Sequence, residues 1–220
     1  MKVTYIQHCG SDVMVANAAR VSFDKKSDFA WADEGQETSD QDQRLIRFLG
    51  REGHISPFNH TFITLHVKAP VFVARHLVKH KFMPWNEVSG RYVTFKPEFY
   101  LPPAFRAKVK DKKQGSGEPI SGRPSLDLQL LFIDQHNDSF ARYTQALNLG
   151  LCEEQARGLL PLNLMTQWYW SGTLGAWASM YNLRAKSDAQ EETQKIAYQA
   201  GDIIRPIFPH SWEALTRGYK

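Results

Sequence analysis

Thr61-Phe62-Ile63-Thr64-Leu65-His66-Val67-Lys68-Ala69-Pro70-Val71-Phe72-Val73 is the segment on which the fold turns. Ile63, Leu65 and Val67 alternate with Thr64, His66 and Lys68, and a period of two belongs to a half-buried strand rather than a helix. Pro70 then suits the first turn of a helix, where its missing N–H would have no partner anyway. The spacing predicts a helix from Val71 to about Lys81, with Pro84 forbidding its continuation.

Working outward, Val3 to His8 reads as a first strand and Asp12 to Val21 as a helix. Asp40 to Arg51 carries apolar Leu45, Phe48 and Leu49 at helical spacing, stopped by Gly50 and Gly53. Downstream, a further strand is predicted near Arg91 to Phe95, and the C-terminal half reads as helical. There Ser125 is the expected cap of Leu126 to Leu149, Gly150 stops that helix, and Glu153 to Trp168 begins the next. Leu174 to Arg184 and Asp188 to Ile204 fit two more, ended by Pro206 and Pro209. Trp168-Tyr169-Trp170, with Trp177 and Tyr181, reads as core at helical spacing rather than as a nucleotide-stacking box.

Strands come early and helices late, without regular alternation and without Gly-x-Gly-x-x-Gly after a strand, so a doubly wound dinucleotide fold is disfavoured. The expected architecture is α+β: one domain over residues 1–220, an antiparallel or mixed sheet packed by helices, and a helical C-terminal half. Its 42% hydrophobic content suffices for a sizeable core.

The net charge of +4 favours anionic partners but is too mild to select nucleic acid over a small phosphorylated ligand. Ser27 to Gln43 holds six acidic residues and no Lys or Arg, which predicts a solvated surface loop near 27–43. Arg106 to Arg123 holds six basic residues and Gln-Gly-Ser-Gly at 114–117, which predicts a second flexible loop near 106–124. No apolar run approaches a membrane span and the N-terminus lacks a secretion signal, so a cytoplasmic address is expected. Cys9 and Cys152 alone make no disulfide framework or cysteine-rich metal site.

The chemistry concentrates in Arg75-His76-Leu77-Val78-Lys79-His80-Lys81 and the following Phe82-Met83-Pro84-Trp85-Asn86-Glu87-Val88-Ser89-Gly90-Arg91-Tyr92. On a continuous helix His76, Lys79 and His80 share one side at the C-terminal end, where cations suit the helix dipole. Ser89, Gly90 and Arg91 supply a hydroxyl, a closely approachable backbone and a guanidinium able to grip a phosphate, and Glu87 an acceptor for a ribose hydroxyl. Residue types alone equally admit a basic surface helix followed by an ordinary turn.

The spacing goes further. Lys79-His80-Lys81, seven residues, then Ser89-Gly90-Arg91-Tyr92 resembles the signature of flavin-dependent thymidylate synthases, with lysine at the two positions where the family has arginine. Ala19-Arg20-Val21-Ser22-Phe23-Asp24, Gly53-His54-Ile55-Ser56-Pro57-Phe58-Asn59-His60, Ala156-Arg157 with Leu160-Pro161-Leu162-Asn163-Leu164, and Asn182-Leu183-Arg184-Ala185 with Ala189-Gln190 are similar to further blocks of that family. The resemblance spans nearly the whole chain outside the two charged loops.

The resemblance implies reductive methylation of dUMP to dTMP, with 5,10-methylenetetrahydrofolate as carbon donor, NADPH-reduced FAD as reductant, tetrahydrofolate as product, and a homotetramer whose sites are shared between subunits. It implies that Ser89, Gly90, Arg91 and Arg157 hold the dUMP phosphate, with Lys79 also near the nucleotide, Glu87 on its sugar and His76 nearby in place of the family's glutamine. Arg184 becomes the catalytic residue, contacting the pyrimidine and helping ionise N3. Ser56, Lys79, His80, Lys81 and Glu87 would contact FAD, His54 would lie beside flavin or folate, and Thr173, Leu174, Gly175 and Ser179 match a flavin-contacting stretch.

Such chemistry needs no protein nucleophile, and neither cysteine belongs to the matched blocks. A zinc hydrolase is disfavoured because His76 and His80 lack a His-Glu-x-x-His context and a third ligand, and no metal is expected. A nucleic-acid-binding module would use the basic loop and aromatics. A family member with altered chemistry, hydroxymethylating dUMP or binding it without turnover, is motivated by Lys79 and Lys81, since an ammonium cannot reproduce a planar bidentate fork.

Overall fold

The structure is a computed structural model that describes residues 1–24, 38–91, 98–109 and 115–217. Strand β1 (Lys2–Cys9) leads through Gly10, at φ +88°, into α1 (Asp12–Arg20), which Ser11 caps by accepting the Met14 N–H. Helix α2 (Asp40–Arg51) is capped by Ser39 and joined to α1 by an Arg20–Asp42 ion pair. Ile46 and Leu49 are its buried apolar residues, whereas Phe48 lies off that face, exposed against Arg51 and His54.

A 3₁₀ turn, Ser56–His60, precedes β2 (Phe62–Pro70), whose extended Pro70 opens α3 (Val71–Leu77). Then come β3 (Trp85–Glu87), α4 (Arg123–Asn148), α5 (Glu153–Ala156), β4 (Met165–Thr173), α6 (Leu174–Arg184), α7 (Glu191–Ile207) and α8 (Pro209–Thr216). The four strands form an antiparallel sheet in the order β1-β2-β4-β3. One face carries Val3, Ile63, Leu65, Val67, Trp168 and Trp170 beneath α3, α6 and α7. The opposite face presents Phe62, His66 and Tyr169, with Tyr169 exposed. The fold is thus α+β. The buried Asp12 ties its ends together, accepting the N–H groups of His210 and Ser211 at the start of α8.

The sequence misleads most over Glu153 to Trp168. Helix there lasts only through Ala156, a 3₁₀ turn follows at Arg157–Leu159, Pro161 breaks the pattern, and Met165–Thr173 is an inner strand of the sheet. Trp168 and Trp170 are core, as expected, but they alternate at strand spacing with outward Gln167 and Tyr169. Trp170 meets Trp177 of α6 at a centroid separation of 4.8 Å.

Smaller differences follow from the same local chemistry. Helix α3 ends at Leu77 rather than near Lys81, and the chain turns through Val78–Phe82, with Phe82 at φ 60°. Helix α4 starts at Arg123 after Gly122 (φ +69°), so Ser125 lies inside it. Helix α7 starts at Glu191 and tolerates Pro206 near its end, and Pro209 opens a helix instead of closing the pattern. Of the strand expected over Arg91–Phe95, Arg91 sits in a turn and residues 92–95 lie outside the described residues, while β3 comes earlier.

Most of the loop expected over 27–43, up to residue 37, also lies outside the described residues. Around the basic segment, residues 110–114 are outside, but their flanks pair. Ala107 N–H donates to Glu118 O (3.0 Å) and Ile120 N–H to Phe105 O (2.7 Å). Arg106 then grips Glu191 (2.5 Å) and buried Glu192 (2.6 Å) on α7. The base of the expected flexible loop is therefore a pinned hairpin.

Candidate active site

Helix α3 ends with carbonyls that have no intrahelical partner, and a cation is the natural cap for them. Arg184, the last residue of α6, supplies it. Its Nη2 donates to the His76 carbonyl at 3.2 Å, its Nη1 to His76 Nε2, and its Nε to His80 Nε2 at 2.9 Å. Because α3 stops at Leu77, His80 reaches Arg184 from the turn rather than from the helix. Among the described residues Arg184 makes no salt bridge with a carboxylate.

A guanidinium only donates hydrogen bonds, so both imidazoles must present an unprotonated Nε2. Their electrostatics agree: burial first, then Arg184 and Lys79, lowers the His76 pKa, and burial, Arg184 and His76 lower that of His80 to about 4. Expected among the cations of its segment, His80 is instead a neutral acceptor at neutral pH. Lys79 and Lys81 are exposed and make no ion pair among the described residues.

His76 and Arg184 line a cavity of about 510 Å³ whose other walls include Gly115, Ser116, Asp188 and Glu191. Of the other residues expected to meet the nucleotide, Glu87, Ser89, Gly90 and Arg91 lie on or just after the edge strand β3. Glu87 accepts from Thr166 Oγ1 (2.6 Å) and Trp85 Nε1 (3.1 Å). The Trp85 ring stacks on Trp168 and meets Trp170 edge-on, and Trp170 also neighbours His80 at 6.3 Å, so Glu87 and His80 share one face of the sheet. Ser89 and buried Gly90 follow β3, and the Ser89 hydroxyl accepts the Arg91 N–H at 3.3 Å, leaving the Arg91 side chain exposed. Arg157, exposed in its 3₁₀ turn, donates to the Glu154 carbonyl and does not line the Arg184 cavity.

A second set gathers at the other end of α6. Thr173 caps the helix by accepting the Ala176 N–H and donates to Asn59 Oδ1 at 2.8 Å. At Gly175 an added Cβ would stand 2.6 Å from that same Asn59 Oδ1, so the absence of a side chain lets the His54–His60 segment seat on α6. His54, Ser56 and Ser179 are exposed, but Leu174 is fully buried, leaving only its backbone for any ligand. Gly175 and Arg184 are roughly 14 Å apart along the helix, at 1.5 Å per residue, so one chain does not bring the two sets onto a single ring system.

Arg106, Glu191, Asn59 and Thr193 escaped the sequence reading. Asn59 lies inside the quoted Gly53–His60 block and was within reach; the others acquire their significance only through contacts across the fold. Among the described residues no group of three His, Cys, Asp or Glu side chains could hold a metal. No helix of the described residues is long and apolar enough to cross a membrane.

Residues 4–210 match the family model described as thymidylate synthase complementing protein. Proteins named flavin-dependent thymidylate synthase are similar to nearly the whole chain. That of Thermus thermophilus is 36% identical over 96% of this chain and 74% of its own length, and that of Thermotoga neapolitana 36% identical over 98% and 90%. Among solved structures, a UMP/dUMP methylase, PolB, from Streptomyces cacaoi bound with 5-Br dUMP superposes with a TM-score of 0.85 at 29% identity, covering 98% of this chain and 94% of its own. On these matches the chain belongs to the thymidylate synthase complementing protein family of enzymes.

Proposed function

We propose that this enzyme methylates dUMP to dTMP, taking the carbon from 5,10-methylenetetrahydrofolate and reducing equivalents from NADPH through FAD. The observation that carries the reading is Arg184: a cation with no carboxylate partner among the described residues, oriented by two neutral imidazoles into a cavity. An anionic pyrimidine is a suitable complement. Its developing charge would be stabilised by a preorganised donor that never deprotonates.

In this reading Ser89, Gly90, Arg91 and Arg157 hold the nucleotide phosphate, Glu87 takes the sugar hydroxyl and His76 borders the base. Glu87 already accepts one hydrogen bond on each carboxylate oxygen, which fixes its direction while leaving lone pairs free. The FAD diphosphate would meet Lys79 and Lys81, whose exposed ammonium groups fit an anionic cofactor, with Ser56, His54, Thr173, Gly175 and Ser179, which lie toward the other end of α6, contributed by another copy. When bound, FAD supplies the redox chemistry; the chain orients rings and stabilises charge. Cys9 and Cys152 are exposed free thiols that do not line the Arg184 cavity, consistent with chemistry lacking a thiol nucleophile and with a reducing cytoplasm.

The separation of the two residue sets along α6 favours sites built from several copies. Helix α4 supports this reading, since Leu126, Leu130, Ile133 and Phe140 are exposed at helical spacing, a surface suited to another copy in a homotetramer.

The test is tritium release from position 5 of labelled dUMP, with and without methylenetetrahydrofolate and NADPH, and with UMP in parallel because the structural neighbour was also solved with 5-Br UMP. Folate- and NADPH-dependent release with dTMP formation is expected. Release without dTMP would indicate altered chemistry, and no release from a flavin-loaded protein would overturn the proposal.

A further inference from the structure

We infer that Thr193 is a positioning residue for Arg184, acting through the His76 imidazole. The argument is one of proton accounting. Arg184 Nη1 is a donor, so the His76 Nε2 that it meets is an acceptor. A neutral imidazole with an unprotonated Nε2 carries its proton on Nδ1. His76 Nδ1 lies 3.1 Å from Thr193 Oγ1, and Thr193, on α7, is fully buried. The Nδ1–H therefore donates to the threonine hydroxyl, and a chain of two hydrogen bonds runs from α7 through α3 to the guanidinium at the end of α6.

Removing the acceptor at residue 193 breaks this chain in a defined way. The half-buried Nδ1–H facing α7 would lose its partner, and the alternative tautomer would point Nε2–H at the Arg184 donors. In either case the guanidinium loses the support that Nε2 gives it and rests on His80 and the His76 carbonyl alone. The relay was invisible in sequence because His76 and Thr193 are 117 residues apart.

The hydrogen-bond relay follows from the structure alone; its value for pyrimidine binding rests on the function proposed above, and the test separates the two. The tautomer of His76 is read from imidazole ¹⁵N shifts in histidine-labelled, nucleotide-free protein, with His76→Gln to assign the signal. Wild type should show a protonated Nδ1 and a bare Nε2 at neutral pH. Thr193→Val, which is nearly isosteric, should lose that signature, and Thr193→Ser should restore it.

Calorimetric titration of dUMP should show Thr193→Val weakening binding by about tenfold, the scale of one lost hydrogen bond, with Thr193→Ser close to wild type. In a His76→Gln background Thr193→Val should add nothing, because no imidazole remains to orient. An Nε2–H tautomer in wild type, or a Thr193→Val protein that keeps both tautomer and affinity, overturns the inference. The expected tautomers without any dUMP binding would support the relay and sink the function it was taken to serve.

Discussion

Arg184 Nε lies 2.9 Å from His80 Nε2, a guanidinium held by an imidazole where a carboxylate is the commoner partner. A carboxylate would neutralise the charge. Imidazole orients it and leaves it available, which is what recognition of an anionic ring requires.

Replacing Arg184 by Gln keeps some hydrogen-bonding capacity but removes the charge. Tritium release from dUMP should fall by about 10²–10³-fold, as for loss of a preorganised charge-stabilising donor. An unchanged far-ultraviolet circular dichroism spectrum would assign the loss to chemistry, and near-wild-type turnover would exclude Arg184 from the reaction.

The same cluster predicts an acid-sensitive fold. Both His76 and His80 have folded pKa values below the ordinary 6.5, so the unfolded chain binds more protons as pH falls through this range. Their contribution is complete above about pH 6.5 and is lost as pH drops toward the His80 value of about 4. Urea midpoints measured across that window should decline in wild type and decline less steeply in His80→Gln. Parallel slopes would show that folding does not lower the His80 pKa.

Gly175→Ala places a methyl group 2.6 Å from Asn59 Oδ1 and 3.0 Å from Ile55 Cγ2. Something must shift, and overpacking of this kind costs about 1–3 kcal/mol. Thermal denaturation should show the loss, and flavin affinity should fall with it because the displaced segment carries His54 and Ser56. A protein equally stable and equally yellow would show that this contact relaxes freely.

Lys79→Arg with Lys81→Arg should tighten FAD severalfold, since a planar guanidinium grips phosphate through two bonds where an ammonium acts as a point charge. Both side chains are exposed, so the melting temperature of the flavin-free protein should stay the same. Identical dissociation constants by flavin fluorescence would remove these lysines from the diphosphate site.

Much of the fold was legible where one local signal dominated. The alternation through Ile63, Leu65 and Val67 marked β2, and the helical spacing of Leu45, Phe48 and Leu49 marked α2 over Asp40–Arg51, while its Ser39 cap was not read from the sequence. Met165–Thr173 failed because its tryptophans satisfy a helical as well as a strand pattern over so few residues, and only pairing with β2 breaks the tie. The site divides in the same way. Arg184, singled out from its sequence block, lines the cavity beside His76, yet Lys79, His80 and Lys81 looked alike as a trio of cations. The turn after Leu77 splits them, sending the lysines to solvent and His80 inward to Arg184.

From sequence alone came the family, the α+β class, and the residues proposed to meet phosphate and pyrimidine, because these are carried by spacing and by short-range periodicity. Tertiary structure decided which of those residues are charged, which are consumed by one another, and that a buried threonine on α7 stands behind Arg184. Protonation and orientation depend on desolvation and on partners from distant segments, and neither quantity exists until the chain has closed around them.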